Sequence, residues 1–127
     1  MKNNLSNNIN IGVDIEDVGR FRSLKLSSDK TFLGKIFTER ELAFCFSKKN
    51  SAEHLAGRFS AKESVIKALG AFGVPAIHFS EIEIKNDKKG LPKVTIGRSN
   101  LKSYDVKVSI SHSKDKVLTA AIASLAI

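Results

Sequence analysis

Ser51–Phe72 reads SAEHLAGRFSAKESVIKALGAF, and the fold turns on how this stretch is read. Ala52, Leu55, Phe59, Ile66 and Leu69 fall on one stripe at helical spacing, and Gly70, Gly73 and Pro75 supply the stop, so the stretch predicts one long helix. At about 100° per residue, Lys62 and Glu63 project into or beside the sector that holds Leu55, Phe59 and Ile66. Charged groups there must be paired, ligated or set at a subunit boundary, because burying them bare is costly. Lys67 follows Glu63 by one turn on the same side. An ordinary i,i+4 ion pair accounts for those two residues when the helix is taken by itself.

Toward the N-terminus, Ile9, Ile11, Val13 and Ile15 alternate with Asn10, Gly12, Asp14 and Glu16, which predicts a half-buried strand with Asp14 pointing away from the apolar face. Residues 17–50 read as one or more short helices, carrying Val18, Phe21, Leu24 and Leu26, then Phe32, Leu33, Ile36 and Phe37. Thr38 precedes Glu41 by three residues, a capping-box spacing, and the helix it opens stops in the polar run SKKNS. Toward the C-terminus, Glu81–Lys85 alternates as a strand, NDKKG turns, and Leu91–Ile96 returns, with Pro92 confined to an edge or a strand start. Tyr104, Val106, Val108 and Ile110 alternate again, SHSKDK reads as a turn, and Val117–Ala126 is a continuous apolar run that fits a buried final strand. The order predicts an α+β fold: one domain over residues 9–127, an antiparallel sheet packed against one long helix and shorter helices, after a flexible, Asn-rich tail at residues 1–8.

A chain of 127 residues suits one domain that can bury a core without disulfide or metal staples. Cys45 stands alone, so no intrachain disulfide forms. No apolar run is long enough to span a bilayer, and the N-terminus lacks the pattern of a signal or transit peptide, so a reducing, cytoplasmic setting and no membrane partner are expected. The net charge of +8 predicts an anionic ligand or partner. That charge is uneven: about neutral from Glu41 to Ile84, +2 before it and +6 after it. Nucleic acid is the obvious rival for such a surplus, but residues 85–116 hold only Tyr104 as an aromatic and no helix-turn-helix, zinc-finger or RNP pattern. A Lys-rich hairpin is usually a solvated edge.

Three places could carry chemistry. Asp14 ends a strand in an acidic patch with Glu16 and Asp17, where carboxylates brought from a strand and a helix could hold Mg²⁺ and leave room for waters and phosphate oxygens; a solvated strand end or an N-cap is the plainer alternative. Glu63 and Lys67 on the long helix are the second. The third is SISHS, Ser109–Ser113, where a hydroxyl-rich turn beside His112 could bind phosphate. No G-x-S-x-G context surrounds that run, and His54 and His78 have no ligand spacing with His112, so neither a serine nucleophile nor a zinc site is expected.

Together, GVDIEDVGRF, LAGRFSAKESVIKALG, DKKGLP and SISHS resemble the 4′-phosphopantetheinyl transferases, specifically the bacterial holo-acyl carrier protein synthase family, in order and spacing from Ile9 onward. The resemblance implies transfer of the phosphopantetheine arm of coenzyme A to a serine of apo acyl carrier protein, releasing adenosine 3′,5′-bisphosphate with Mg²⁺ required. By motif match Asp14 and Glu63 are the metal ligands, Lys67 meets the reacting phosphate, and a metal-bound water or Glu63 acting through one takes the serine proton. Arg58, Lys62, Gly90, Pro92, Ser111, His112 and Ser113 are implied to bind coenzyme A, and Arg20, Arg22 and Lys25, on the first helix, to dock the acidic carrier protein. Family enzymes of this size are trimers with active sites between subunits, which would set part of the long helix's stripe against a neighbour. Glu16 and Gly19 stand where family members more often carry a neutral and a basic residue, which weakens the positive field around Arg20.

Overall fold

In the computed structural model, which describes residues 8–125, the chain runs β1 (Ile9–Asp17), a 3-10 turn (Val18–Phe21), α1 (Lys30–Ile36), α2 (Glu39–Phe46), α3 (Ser51–Gly70), β2 (Ile82–Asn86), β3 (Pro92–Ile96), β4 (Tyr104–Ser113) and β5 (Lys116–Leu125). Two more 3-10 turns lie at Phe79–Glu81 and Ser99–Leu101. The fold is α+β with antiparallel pairing throughout, as predicted. The strands divide, however, into a three-stranded sheet, β1-β5-β4, and a separate β2-β3 hairpin packed beside β4. The expected tail lies, except for Asn8, outside the described residues, as does Ala126.

α3 crosses one face of the three-stranded sheet and is buried on nearly every side, because α2 and the hairpin cover its other face. Small residues make that position possible. A Cβ placed on Gly12 would lie 2.1 Å from the Ser64 carbonyl oxygen and 2.8 Å from the Ala68 nitrogen, so β1 rests backbone-on-backbone against the helix. Ser60 and Ser64 hydroxyls bond the Thr119 hydroxyl of β5 at 2.8 and 2.6 Å, which satisfies three buried polar groups at once.

This contact reverses the expected role of the β1 isoleucines. The face bearing Gly12 and Asp14 meets the helix, and Ile11, Val13 and Ile15 are each more than half exposed. The period-2 pattern was legible, but which face turns inward is set by Gly12, the only residue that can accept so close a helix. Across the ladder Ile11 stands opposite Ile122 and Ile15 opposite Leu118, both also exposed, so β1 and β5 present a continuous apolar face outside the fold.

Lys62 is fully buried. Its ammonium donates to Glu41 Oε1 and the Ile36 carbonyl, both at 2.6 Å, and to the Phe79 carbonyl at 3.0 Å. All three protons are therefore used, and the coenzyme A role expected of Lys62 is corrected to a structural one. Glu41 completes the knot: Oε1 also accepts from Thr38 N, closing the predicted capping box, and Oε2 accepts from Ile84 N of β2. Burial pulls the Lys62 pKa below the usual lysine range, and Glu41 opposes that pull. The pair ties α2, α3 and the hairpin together. Removing one partner of a buried pair strands the other, so Lys62→Ala is expected to lower the unfolding free energy by about 3–5 kcal/mol in urea titration; a loss below about 1 kcal/mol would show that Glu41 finds other compensation.

Candidate active site

The approach at Gly12 brings β1 within reach of Lys67. Its ammonium donates to the Val13 carbonyl at 2.9 Å and to Asp14 Oδ1 at 3.3 Å, so it turns toward the strand, and the simple Glu63–Lys67 pair does not form. The Asp14 side chain is 9% exposed, and its Oδ2 is buried without a partner. Burial, followed by the charge of Asp14, pushes the Glu63 carboxyl above its ordinary range, with Lys67 and Arg20 opposing. Glu16 is likewise pushed up by burial and by Asp14, against the pull of Arg20, whose Nη1 donates to Glu16 Oε1. Three carboxylates thus face two cations.

A surplus negative charge with an orphaned, buried carboxylate oxygen fits a hard divalent cation. Asp14 and Glu63 are the residues that would hold it. No group of three or more His, Cys, Asp or Glu with cation-holding geometry occurs among the described residues. Two carboxylates would leave the rest of the ion's shell to water and phosphate oxygens, the usual arrangement for Mg²⁺.

A second group of residues lines a pocket of about 210 Å³: Glu53, His54 and Arg58 from α3, Asn86, Gly90 and Pro92 from the hairpin, and Ile110 and His112 from β4. Arg58 is 4% exposed, lies over the Phe44 ring at 4.3 Å from its centroid, has no carboxylate partner among the described residues, and leaves its Nε unbonded. A buried guanidinium without a counter-ion is a ready receptor for a phosphate. His112 Nε2 lies 2.8 Å from Glu53 Oε1. Gly90, at φ +85°, makes the turn that brings Pro92 to the rim, and a cleft of about 500 Å³ continues between β3 and β4.

Two expectations need correction here. Ser109–Ser113 is the end of strand β4, paired residue for residue with Lys116–Ala120, and the turn is only Lys114–Asp115. Alternation along a strand therefore puts Ser111 and Ser113 on the sheet face opposite His112, away from its pocket. Arg20, Arg22 and Lys25 lie on a four-residue 3-10 turn and the segment after it, where an α-helix was expected. Arg20 stacks on Phe59, Arg22 lines a groove of about 410 Å³ with Lys49 and Lys114, and Lys25 is exposed. Sequence reading missed Gly12 and Glu53; the second lies one helical turn before Gly57 and Arg58, on the side that meets β4.

The structure does not bring the two groups together within one chain. α3 passes from Ile110 of β4, which a Cβ on Gly57 would touch at 3.4 Å, over Thr119 of β5, to Gly12 of β1. Glu63 follows Arg58 by five residues, about 7.5 Å along the axis and about 140° around it. The carboxylates therefore sit at one flank of the helix and the pocket at the other.

Comparison with known proteins places this arrangement. The sequence profile of the 4′-phosphopantetheinyl transferase superfamily matches residues 10–123. The chain belongs to that superfamily. It is therefore an enzyme, a transferase of the phosphopantetheine group. A holo-[acyl-carrier-protein] synthase of Chlorobaculum parvum is 39% identical over 112 residues, 88% of this chain and 95% of that one. The corresponding synthase of Chlamydia trachomatis is 40% identical over 116 residues, 89% and 97% of the two chains. Among solved structures, a holo-(acyl-carrier-protein) synthase from Bacillus anthracis in complex with CoA (3′,5′-ADP) superposes with a TM-score of 0.74 at 30% identity, over 92% of this chain and 96% of that one. No helix among the described residues is long and apolar enough to cross a membrane.

The transferase's carboxylates predict a pH signature. A carboxyl whose folded-state pKa is raised adds stability that is complete below its unfolded pKa and lost as pH rises through the folded one. Without divalent cation, the protein is expected to gain stability as pH falls from neutral toward the ordinary value of 4.5, through the raised pKa of Glu63 and Glu16. Glu81, held down to about 2 by its bond to Arg98, acts oppositely, giving stability above 4.5 that is lost only in stronger acid. Thermal melts in EDTA across this range should show a smaller gain for Glu63→Gln than for wild type; equal gains would remove Glu63 from the charged cluster.

Proposed function

We propose that this chain transfers the 4′-phosphopantetheine moiety of coenzyme A to a serine of apo acyl carrier protein, in a Mg²⁺-dependent reaction of cytoplasmic fatty acid biosynthesis. The observation that carries the reading is the buried, unpartnered Asp14 Oδ2 beside Glu63 and Lys67. The names of the relatives and the coenzyme A complex of a structural neighbour support the substrates.

The serine oxygen attacks the phosphorus of the coenzyme A diphosphate that carries the pantetheine. A new P–O bond forms, the diphosphate P–O bond breaks, and adenosine 3′,5′-bisphosphate leaves. Asp14 and Glu63 would hold a divalent cation, and when bound it would supply charge neutralisation on the diphosphate. Lys67, its side chain about half exposed, offers its ammonium to a phosphate oxygen while Val13 and Asp14 hold it in place. Glu63 receives the serine proton through a water. Arg58 and His112 bind phosphate of the nucleotide half, Gly90 and Pro92 pass by its base, and Arg20, Arg22 and Lys25 meet the acidic carrier protein. Nucleic acid is not read as a partner, because that reading leaves the Asp14 cluster without a use.

The site is completed between copies of the chain. The carboxylates and the pocket lie at opposite flanks of α3, and the exposed apolar face of β1 and β5 provides a surface on which copies can meet. A homotrimer, as the family resemblance implies, lets the carboxylates of one subunit face the His112 pocket of the next.

Asp14→Ala and Glu63→Ala are expected to lower turnover by about a thousandfold or more, with the fold retained by circular dichroism, when phosphopantetheine gain on apo carrier protein is followed by mass. Retained turnover in both variants would remove the cation assignment. Ile11→Asp is expected to shift the chain from trimer to monomer in light scattering and to abolish turnover; an active monomer would contradict the shared site.

A further inference from the structure

Glu16 stands between the carboxylate of Asp14 and the guanidinium of Arg20. Its side chain is 11% exposed and that of Arg20 60% exposed, so the anion is held inside and its counter-ion at the surface. Among the described residues Arg20 is the only cation bonded to Glu16. Arg20 is also held from behind by the Phe59 and Phe21 rings. An arginine paired in this way offers the carboxylates of a partner a charge already partly neutralised by Glu16. Drawing it outward leaves a nearly buried carboxylate uncompensated beside a second one, and breaking such a pair is costly. The buried, unpartnered Asp14 Oδ2 shows where a compensating charge fits. A divalent cation there supplies the positive charge that Arg20 withdraws.

We propose that Glu16 couples cation binding to partner docking: it retains Arg20 until the Asp14–Glu63 site is filled, so that divalent cation and acidic carrier protein bind with positive cooperativity. The inference rests on the function proposed above. It makes Glu16 a positioning residue, acting through Arg20 on the partner and through Asp14 on the cation. Linkage requires the effect to be reciprocal, each ligand tightening the other by the same factor.

The test measures the affinity of fluorescently labelled apo acyl carrier protein for the full chain, without coenzyme A, in EDTA and in saturating Mg²⁺. Wild type is expected to bind the carrier about fivefold or more tightly in Mg²⁺, the lower end of usual coupling factors. Glu16→Gln is expected to bind in EDTA nearly as tightly as wild type does in Mg²⁺, with its Mg²⁺ dependence reduced to within about twofold. Cation binding by the carrier itself enters both measurements equally, so the difference between the two proteins isolates Glu16. Glu16→Thr, checked by thermal melting, serves if the glutamine variant does not fold. Equal Mg²⁺ dependence in wild type and variant overturns the coupling. Phosphopantetheine gain after coenzyme A is added to the Mg²⁺ samples separates the two failures: with turnover present, equal dependence removes the coupling alone, whereas a wild type that neither modifies nor binds the carrier removes the proposed function and the coupling with it.

Discussion

The contact between Gly12 and the helix backbone at Ser64 and Ala68 constrains the rest of the structure. A strand laid this near a helix admits no side chain at that point, and everything that follows depends on the registration it imposes. The Val13 carbonyl and Asp14 Oδ1 come within hydrogen-bond distance of Lys67, Asp14 is drawn out of solvent, and Glu63 shares its field. The same contact turns the isoleucines outward. One glycine therefore sets the charged cluster on the inner side of β1 and the apolar face on the outer side.

Two kinds of polar group inside the fold do different work. Lys62, with Glu41 and two carbonyls, and the Ser60–Thr119–Ser64 hydroxyls are fully satisfied, and they fix α3 between its two covering layers. Asp14 Oδ2 and Arg58 Nε are buried and unsatisfied, and they lie in the two places where charged ligands are expected. Native structures satisfy most buried polar groups, so the exceptions are informative. Here they mark an anionic site and a cationic site at the two flanks of one helix.

The long helix, its stop, the Thr38–Glu41 cap, the β2–β3 hairpin and the order of strands were all legible, because each depends on local periodicity or turn chemistry. What the sequence could not place depended on tertiary contact. Lys62 reads as a site residue from the family resemblance and its place on the apolar sector, yet its partner Glu41 is 21 residues away and its other acceptors are main-chain carbonyls, which leave no trace in sequence. Ser111 and Ser113 read as a turn because hydroxyl-rich segments usually are one, whereas pairing with β5 extends the strand through them. The first helix shortens to the 3-10 turn Val18–Phe21, and that moves Arg22 and Lys25 onto the connecting segment.

The carboxylates and the His112 pocket are separated by the width of the helix that carries parts of both. The account therefore requires that each working site combine the Asp14 flank of one chain with the His112 flank of another. Subunit complementation tests this most directly: Asp14→Ala and His112→Ala chains are unfolded together, mixed in equal amounts, refolded and assayed for phosphopantetheine transfer. Random assembly of chains that share sites restores about one quarter of wild-type turnover from two variants that are each inactive alone. A mixture as inactive as its components would place each site within a single chain and contradict the account.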